Sequence, residues 1–217
     1  DKNIGDMENK GLEIMLNTTP VSNDLLEWSV GYNVAFNDNT ITYLPFDQPT
    51  GGISGGVGNN VQLQTQGQTP NSFYVFEQVY DSTGAPIEGV YVDRNGDDII
   101  NDDDKFFYKS PFADITMGFN TNLNYKNWDF ALVARVSLGN YVYDNVASST
   151  AYQRRATDNS ILTNLHSDYL TTGFENITEN NLLSSHYVRE ASFLKIDNIT
   201  LGYTISVANS DVNCRLY

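Results

Sequence analysis

The sequence predicts an all-β fold, namely an antiparallel transmembrane β-barrel segment with long extracellular loops. Two observations carry this prediction. Apolar and polar residues alternate over stretches of eleven residues, and short turns alternate with very long connections along the chain. Strands of globular proteins are mostly about five or six residues long, whereas a transmembrane β-strand needs about nine to eleven. The strand length therefore favours a membrane barrel over a soluble sheet.

The composition limits the class of partner. The 217 residues include 12 Lys and Arg and 27 Asp and Glu, which gives a net charge of −15. Nucleic acid binds basic surfaces, so this acidity argues against it as a partner. Cys214 is the only cysteine, which excludes a disulfide framework. His166 and His186 lie in polar sequence, and we expect both at the surface.

The first clear strand runs from Leu26 to Phe36. Every second side chain in it is apolar, and the positions between are small or polar. A period of two residues is typical of a strand with one apolar and one polar face. A preceding strand, Leu12–Thr18, would be joined to it by a short turn over Thr19–Leu25.

The same alternation recurs in Ile115–Tyr125 and Trp128–Leu138, which are separated only by Lys126–Asn127. A two-residue connection of this kind predicts a tight hairpin. A further strand is predicted over Ser192–Ile205, and a last one begins at Val212. Their polar face is expected to line a water-filled lumen. It includes Asn120, Asn122, Asn124, Asp129, Arg135 and Ser137.

Two connections, residues 37–112 and residues 140–188, are far longer than a turn. The order of the predicted strands places both connections at one end of the sheet and every short turn, including Ser206–Asp211, at the other. This asymmetry is typical of outer-membrane barrels, in which the long loops are extracellular. We therefore expect residues 1–217 to be part of one barrel domain. Residues 37–112 would hold a small hairpin around Asp81–Gly84 and a calcium-type loop.

The segment Asp93–Asp104 resembles a twelve-residue calcium loop. The predicted oxygen ligands at positions 1, 3, 5, 7, 9 and 12 are Asp93, Asn95, Asp97, the carbonyl of Ile99, Asn101 and Asp104. Two departures weaken the match, because position 6 is Asp98 instead of Gly and position 12 is Asp instead of Glu. The alternative is an Asx-rich turn without metal. If Ca²⁺ binds, its role would be to stiffen an exterior loop.

No catalytic site is predicted. The run Asp102–Asp104 resembles an acid–base cluster, but no nucleophile or base accompanies it. Four tyrosines of the second long connection could stack on sugars, although packing within the loop is the simpler interpretation of each. They are Tyr141, Tyr143, Tyr152 and Tyr169. The sequence assigns no substrate-binding residue.

Five segments together carry a family resemblance over nearly the whole chain. They are Asn9–Glu13, Asp93–Asp104, Asp114–Phe119, Tyr125–Asp129 and Ser192–Tyr203. In this order they resemble the SusC/RagA family of TonB-dependent outer-membrane transporters of Bacteroidetes. The resemblance implies part of a 22-stranded barrel in the outer membrane of a Gram-negative bacterium. Such a barrel would import oligosaccharides or glycans, or oligopeptides.

The resemblance also implies partners. These would be a SusD-like surface lipoprotein, TonB, the transported substrate and outer-membrane lipid. The signal peptide and the plug domain of the family have no counterpart in these 217 residues. We therefore expect an internal fragment from the C-terminal half of the barrel, with TonB acting through a segment absent from this chain.

One function from a different class explains part of the same evidence. A secreted, calcium-stiffened β-sandwich, acting as an adhesin or a carbohydrate-binding module, would account for the acidity, the acidic loop and the aromatic residues. It accounts poorly for the eleven-residue strands and for long loops at only one end of the sheet.

Overall fold

A computed structural model describes residues 4–53, 60–160, 162–176, 183–206 and 213–216. The chain divides into two compact units. The sheet unit comprises residues 10–38, 113–139 and 192–217, and the loop unit comprises residues 1–9, 39–112 and 140–191. Among the described residues, no helix has both the length and the apolar composition that a membrane crossing requires.

Strands dominate the described residues, and the helices are short. The strands are β1 (Asp6–Ser22), β2 (Leu26–Tyr43), β3 (Gln48–Gly52), β4 (Asn60–Gln64), β5 (Tyr74–Phe76), β6 (Gln78–Tyr80), β7 (Pro86–Tyr91), β8 (Lys105–Phe107), β9 (Ile115–Tyr125), β10 (Trp128–Leu138), β11 (Tyr141–Tyr143), β12 (Val188–Glu190), β13 (Phe193–Ser206) and β14 (Asn213–Leu216). The helices are α1 (Asn145–Thr150) and α2 (Tyr169–Thr172), with 3-10 segments at Asp102–Asp104, Gln153–Ser160 and Ser185–Tyr187.

Six strands form one sheet in the order β1-β2-β9-β10-β13-β14, and all of them except the four-residue β14 are long. Strand β9 pairs antiparallel with both β2 and β10, and β13 pairs antiparallel with both β10 and β14. Strands β9 and β10 have the predicted bounds, so the sequence prediction of an antiparallel sheet of long strands is confirmed. The sheet is open at β1 and β14.

Strands β1 and β2 are longer than predicted. Strand β1 begins at Asp6 instead of Leu12, and β2 continues to Tyr43 instead of ending at Phe36. Asn37 was expected to begin a loop because Asn favours turns. Its amide instead donates to the carbonyl of Asp114, the residue before β9, at 3.3 Å. This pairing extends the strand beyond Phe36.

The short turns meet at one end of the sheet, as predicted. Lys126 adopts φ = 53°, as a two-residue hairpin turn requires, and its amide donates to the carbonyl of Leu25 at 3.0 Å. The carbonyl of Asn127 accepts from the amide of Thr204 at 2.8 Å. Most of the predicted turn Ser206–Asp211 lies outside the described residues.

A β-bulge in β13 keeps its apolar side chains on one face of the sheet. The register pairs Val133 with Asn198 and Ala134 with Ile196, so Asp197 has no opposite residue. An extra residue shifts the alternation by one position. As a result, Leu194 and Ile196 lie on the same face as Ile199, although their spacing from it is odd.

One face of the sheet is apolar and exposed. Leu194, Ile196, Ile199 and Leu201 on β13 are between 55% and 70% exposed. Residues of this type are normally buried, and a continuous exposed apolar surface marks a protein or membrane contact. This face matches the lipid-facing surface that the alternation predicts.

The indole N–H of Trp28 has a partner within this apolar face. It donates to the hydroxyl of Thr121 at 2.9 Å, and this hydroxyl donates in turn to the carbonyl of Ser29 at 3.0 Å. A polar hydrogen facing hydrocarbon without a partner would cost several kcal/mol. Thr121 therefore explains how an apolar row accommodates both a Trp and a Thr.

The loop unit has a hydrophobic core of its own. Two-stranded sheets pair β3 with β4, β5 with β8, β6 with β7 and β11 with β12. The buried core side chains come from both long connections and are Ile53, Val61, Phe73, Val75, Phe76, Tyr91, Leu183 and Val188. The β6–β7 hairpin is held by Gln78, whose side-chain amide donates to the carbonyls of Ile87 at 2.8 Å and Val90 at 3.1 Å.

Candidate functional site

The polar face of the sheet pairs glycines with amide side chains. Gly31 lies opposite Asn120, and a Cβ atom at Gly31 would lie 2.4 Å from Asn120 Nδ2 and 2.9 Å from Asn17 Oδ1. Gly118 lies opposite Asn33, and its Cβ would lie 2.7 Å from Asn33 Oδ1. The Asn side chains therefore lie directly over the backbone of the opposite strand. This close approach is possible only where the opposite residue is glycine, which has no Cβ atom.

A shallow polar cleft surrounds the first of these pairs. Its volume is about 320 Å³, and it is lined by Asn17, Thr18, Thr19, Ser29, Val30, Gly31 and Asn120. Amides and hydroxyls both donate and accept hydrogen bonds. Because no lining residue is charged, the cleft offers hydrogen bonds without selecting for ligand charge.

Asp129 and Arg135, two charged groups on the polar face, each have an ion-pair partner. Both oxygens of the Asp129 carboxylate accept from Arg215, with the Nε–Oδ1 distance at 3.1 Å. The pair crosses β13 at Gly202, which lies opposite Asp129. Arg135 lies 3.3 Å from the carboxylate of Asp197 at the bulge. Asp129 and Arg135 were both predicted to line the lumen. Asp129 pairs with Arg215, and Arg135 pairs with Asp197.

A second cleft lies within the loop unit and has a volume of about 360 Å³. Its lining combines rings, such as those of Phe73 and Tyr141, with the amide side chains of Gln62 and Asn145, and it contains no charged residue. Tyr143 also lines it, and burial raises the pKa of the Tyr143 phenol, which keeps it a neutral donor. The cleft suits an uncharged ligand that has apolar faces and hydrogen-bonding groups.

The four tyrosines of the second long connection have different environments. Tyr141 and Tyr143 line the cleft, and Lys109 Nζ lies 5.0 Å from the centre of the Tyr141 ring. Tyr152 is buried, and Tyr169 begins helix α2. Neither Tyr152 nor Tyr169 is among the residues that line the cleft. Only the first two are therefore placed to contact a ligand there.

A buried polar cluster in the loop unit was missed by the sequence analysis. His186 Nε2 lies 3.0 Å from Asp168 Oδ2, and Arg189 donates to the other carboxylate oxygen at 2.7 Å. The hydroxyl of Tyr80 lies 3.3 Å from His186 Nδ1. His186 is only 8% exposed, so the expectation of a surface position is wrong for this residue. Its partners lie 18 and 106 residues away, which no local pattern reveals.

The acidic loop Asp93–Asp104 is held by hydrogen bonds from backbone amides to side chains. Asp93 accepts from the amides of Gly96 at 2.6 Å and Asp98 at 2.8 Å, and Asp97 accepts from the amide of Ile99 at 2.8 Å. Asp98, at position 6 of the loop, has φ = 63°, in the left-handed region that glycine usually occupies. These contacts are those of an Asx-rich turn.

Asp104 closes the acidic loop from inside the protein. It is fully buried, and its carboxylate accepts from the amides of Arg94 and Asn101, each at 2.9 Å. These bonds lower the pKa of Asp104, with the bond from Asn101 as the largest cause, although burial opposes the shift. Within the described ranges, no three His, Cys, Asp or Glu side chains lie together as a metal site. The other predicted ligands Asn95 and Asn101 bond within the loop.

Comparison with known proteins shows which proteins this chain is similar to. No protein-family model matches the chain. The chain is 38% identical over 94% of its length to the TonB-dependent receptor SusC of Bacteroides thetaiotaomicron. The chain is homologous to the SusC/RagA-like TonB-dependent receptors. It is also 30% identical over 94% of its length to the TonB-dependent receptor P3 of Formosa agariphila.

Solved structures of SusC/RagA-like proteins have the same fold. The RagAB peptide transporter superposes with a TM-score of 0.68 over 97% of this chain at 21% sequence identity, and its open-open state gives 0.66. The chain spans 21–22% of the length of the two receptors named above and 24% of the RagAB chain. The antiparallel sheet therefore corresponds to part of a TonB-dependent transporter barrel.

Homology also indicates the location of the chain. SusC-like receptors are outer-membrane proteins of Gram-negative Bacteroidetes, so this chain is an outer-membrane segment. The relatives are receptors and transporters, not enzymes. The secreted β-sandwich is not favoured, because the chain aligns with receptors over almost its whole length.

Proposed function

We propose that this chain forms part of an outer-membrane, TonB-dependent nutrient importer. The observation that carries the proposal is the 38% identity to a TonB-dependent receptor over 94% of the chain. The exposed apolar face of β13 supports it, since that face fits lipid. The opposite face, with its amides and paired charges, would line the passage that the substrate crosses.

The described part of the polar face is suited to passage, because the cleft around Gly31 is neutral and the charge of Asp129 is paired. Asn17, Ser29 and Asn120 offer neutral hydrogen-bonding groups around Gly31. The charges of Asp129 and Arg215 neutralise each other within the sheet. A solute moving along this wall would exchange weak hydrogen bonds with it instead of being held, which transport requires.

We propose an oligosaccharide or an uncharged oligopeptide as the substrate. The loop-unit cleft supports this class, because its lining is aromatic and amide-rich without a charged residue. Sugar rings present apolar C–H faces to aromatic rings and hydroxyls to amides. An uncharged peptide presents the same two kinds of surface, and the RagAB structure is named as a peptide transporter.

We also propose that a SusD-like lipoprotein binds the assembled receptor at the cell surface and that TonB drives it from the periplasmic side. TonB would act through a part of the receptor other than this chain. Homology to SusC and the RagAB pair supports the lipoprotein partner.

Uptake by the intact receptor tests the import function. Cells carrying the whole receptor are expected to take up at least one of a panel of radiolabelled neutral hexasaccharides or uncharged hexapeptides, and to lose this uptake when TonB is deleted. Tyr141→Ala is expected to raise the KM of uptake about tenfold, because the loss of one stacking ring costs about 1–1.5 kcal/mol. Tyr169→Ala, outside the cleft, is the matched control.

Two results of this experiment have different meanings. Uptake that persists without TonB, or absence of uptake for every member of both classes, would overturn the import function. TonB-dependent uptake that Tyr141→Ala and Tyr169→Ala affect equally would keep the importer and remove the cleft. Receptor abundance in the outer membrane is measured for each variant, so that a folding defect is separated from a binding defect.

We propose that Ca²⁺ binds the Asp93–Asp104 loop and stiffens it. The donor set supports this, because Asp93, Asn95, Asp97, Asn101 and Asp104 offer the hard oxygen ligands that Ca²⁺ prefers. A carboxylate that accepts one N–H bond keeps further lone pairs for a metal. The left-handed backbone at position 6 is the conformation in which glycine is usual in such loops.

Trypsin provides a direct assay of the calcium proposal, because the side chain of Arg94 is 42% exposed within the loop. In the intact receptor, Ca²⁺ is expected to slow cleavage after Arg94 about tenfold relative to EGTA, since an ordered loop must open before it is cut. Asp93→Asn should abolish this protection. Asp81→Asn, in an Asx turn outside the loop, should preserve it. Equal cleavage rates with Ca²⁺ and with EGTA would leave an Asx-rich turn without metal.

A further inference from the structure

Three polar side chains and one glycine form a row across the polar face of the sheet. Asn33 on β2 lies opposite Gly118 on β9. Gly118 lies opposite Arg135 on β10, which in turn lies opposite Lys195 on β13. Opposite residues of an antiparallel pair project from the same face of the sheet. The amide, the guanidinium and the ammonium group are therefore neighbours on the polar face.

Gly118 leaves an open space in the middle of this row. It has no side chain, and the amide of Asn33 leans toward it, because a Cβ atom at Gly118 would lie 2.7 Å from Asn33 Oδ1 and 3.1 Å from Asn33 Nδ2. Strands β2 and β10 flank β9, so their backbones are about 10 Å apart, or two strand spacings. A small polar group above Gly118 can therefore reach both Asn33 and Arg135.

The two cations of the row share one carboxylate. Arg135 Nε lies 3.3 Å from Asp197 Oδ2, and Lys195 Nζ lies 3.7 Å from Asp197 Oδ1. Asp197 is the extra residue of the β-bulge, which places its carboxylate beside both cations. Like charges directly opposite each other in a sheet repel, and a single carboxylate neutralises only one of them. The row therefore has an excess of positive charge.

The guanidinium of Arg135 has donors left for a ligand. Its contact with Asp197 uses Nε, which leaves both Nη groups. Among the described residues, neither these groups nor the side-chain amide of Asn33 has a hydrogen-bond partner in the protein. The side chains of Arg135 and Lys195 are 55% and 58% exposed, so a solute can reach them. Parallel N–H groups of a guanidinium match the two oxygens of a carboxylate.

We propose that Asn33, Arg135 and Lys195 form a binding site for a carboxylate group of the transported solute, an inference that rests on the proposed import function. The guanidinium would bind both carboxylate oxygens, Asn33 would donate an amide N–H from across Gly118, and Lys195 would add the second positive charge. Asp197 competes for the same cations and keeps the affinity low, which transport needs because the solute must leave again.

Two kinds of solute offer this group. A peptide without charged side chains has one carboxylate, at its C-terminus, and an acidic oligosaccharide has carboxylates on its uronate rings. Both are recognised by the same chemistry, which is a planar anion with two acceptor oxygens.

TonB-dependent uptake by the intact receptor, measured for matched pairs of solutes, tests the site. One pair is a hexapeptide without charged side chains, with a free or an amidated C-terminus. The other pair is a uronate-containing hexasaccharide with free or methyl-esterified carboxylates. In at least one pair, the KM of uptake is expected to be about fivefold lower for the carboxylate form. The pair that shows this preference identifies the source of the carboxylate.

Variants of the row separate the site from a general effect of charge. Arg135→Gln is expected to remove the preference, and Arg135→Lys to keep only part of it, because lysine retains the charge but not the paired donors. Gly118→Ala should weaken the preference with every charge in place, since the added Cβ atom would displace the amide of Asn33. Lys126→Gln removes a positive charge at the tight hairpin of the same sheet unit. It is the matched control and should keep the full preference.

Three results would overturn the carboxylate site. They are an equal KM for both members of both pairs, a preference that survives Arg135→Gln, and a preference that Lys126→Gln reduces as much as Arg135→Gln does. Each of them leaves the import function in place, which fails only if uptake is absent or independent of TonB. Receptor abundance in the outer membrane, measured for each variant, identifies folding defects.

Discussion

Replacement of Phe76 by alanine is expected to lower the free energy of unfolding of the loop unit by about 3–5 kcal/mol, which is the range for large-to-small changes at buried aromatic positions. The Phe76 ring is 2% exposed and lies 5.4 Å from the ring of Tyr91, and Lys105 Nζ lies 5.2 Å from its centre. Its backbone amide donates to the carbonyl of Leu183 at 2.8 Å. This residue therefore joins the two long connections into one core.

Native-state hydrogen exchange of the intact receptor measures this loss through the slowest amides of β5 and β8. Phe46→Ala is the matched control, because Phe46 belongs to the same unit and is 58% exposed. Its cost should stay below about 1 kcal/mol. Comparable losses for both variants would mean that the cluster around Phe76 does not determine the stability of the loop unit.

The second large effect is expected at Gly202, where an added methyl group should disrupt the ion pair that crosses β13. A Cβ atom there would lie 2.5 Å from Asp129 Oδ1, and Arg215 holds this carboxylate in place. Gly202→Ala is therefore expected to cost about 1–3 kcal/mol through overpacking. The measurement is urea unfolding of the intact receptor in lipid bilayers.

A double-mutant cycle separates this clash from a general effect of glycine substitution. Asp129→Ala removes the obstructing carboxylate, so Gly202→Ala should add little cost in that background. The coupling between the two changes should reach about 1 kcal/mol or more. Strictly additive losses would show that Gly202 is needed for a reason other than the space taken by the Asp129–Arg215 pair.

The family resemblance could be read from the sequence because its segments are contiguous. Tyr125–Asp129 and Ser192–Tyr203 each combine a strand pattern with turn or polar residues at fixed positions. The clefts could not be read in this way. The loop-unit cleft combines Gln62, Phe73 and Tyr141, which lie in different strands and connections and meet only through tertiary packing.

Calcium binding by the acidic loop remains a prediction. The spacing of Asp93, Asn95 and Asp97 is a property of the sequence, as is the Asp at position 6. The buried position of Asp104 depends on packing of the loop against its surroundings. Metal occupancy depends on the balance between ligand desolvation and coordination, which spacing alone does not determine.

The sequence by itself determined the long strands, the tight Lys126–Asn127 hairpin and the separation of an apolar from a polar face. A period of two residues is a local consequence of strand geometry, so it can be read without knowing any partner strand. The tertiary structure alone decided the bulge at Asp197, the Gly31–Asn120 pairing and the burial of His186. Each of these depends on which residue lies opposite or nearby in space, and residues far apart in the chain supply that information.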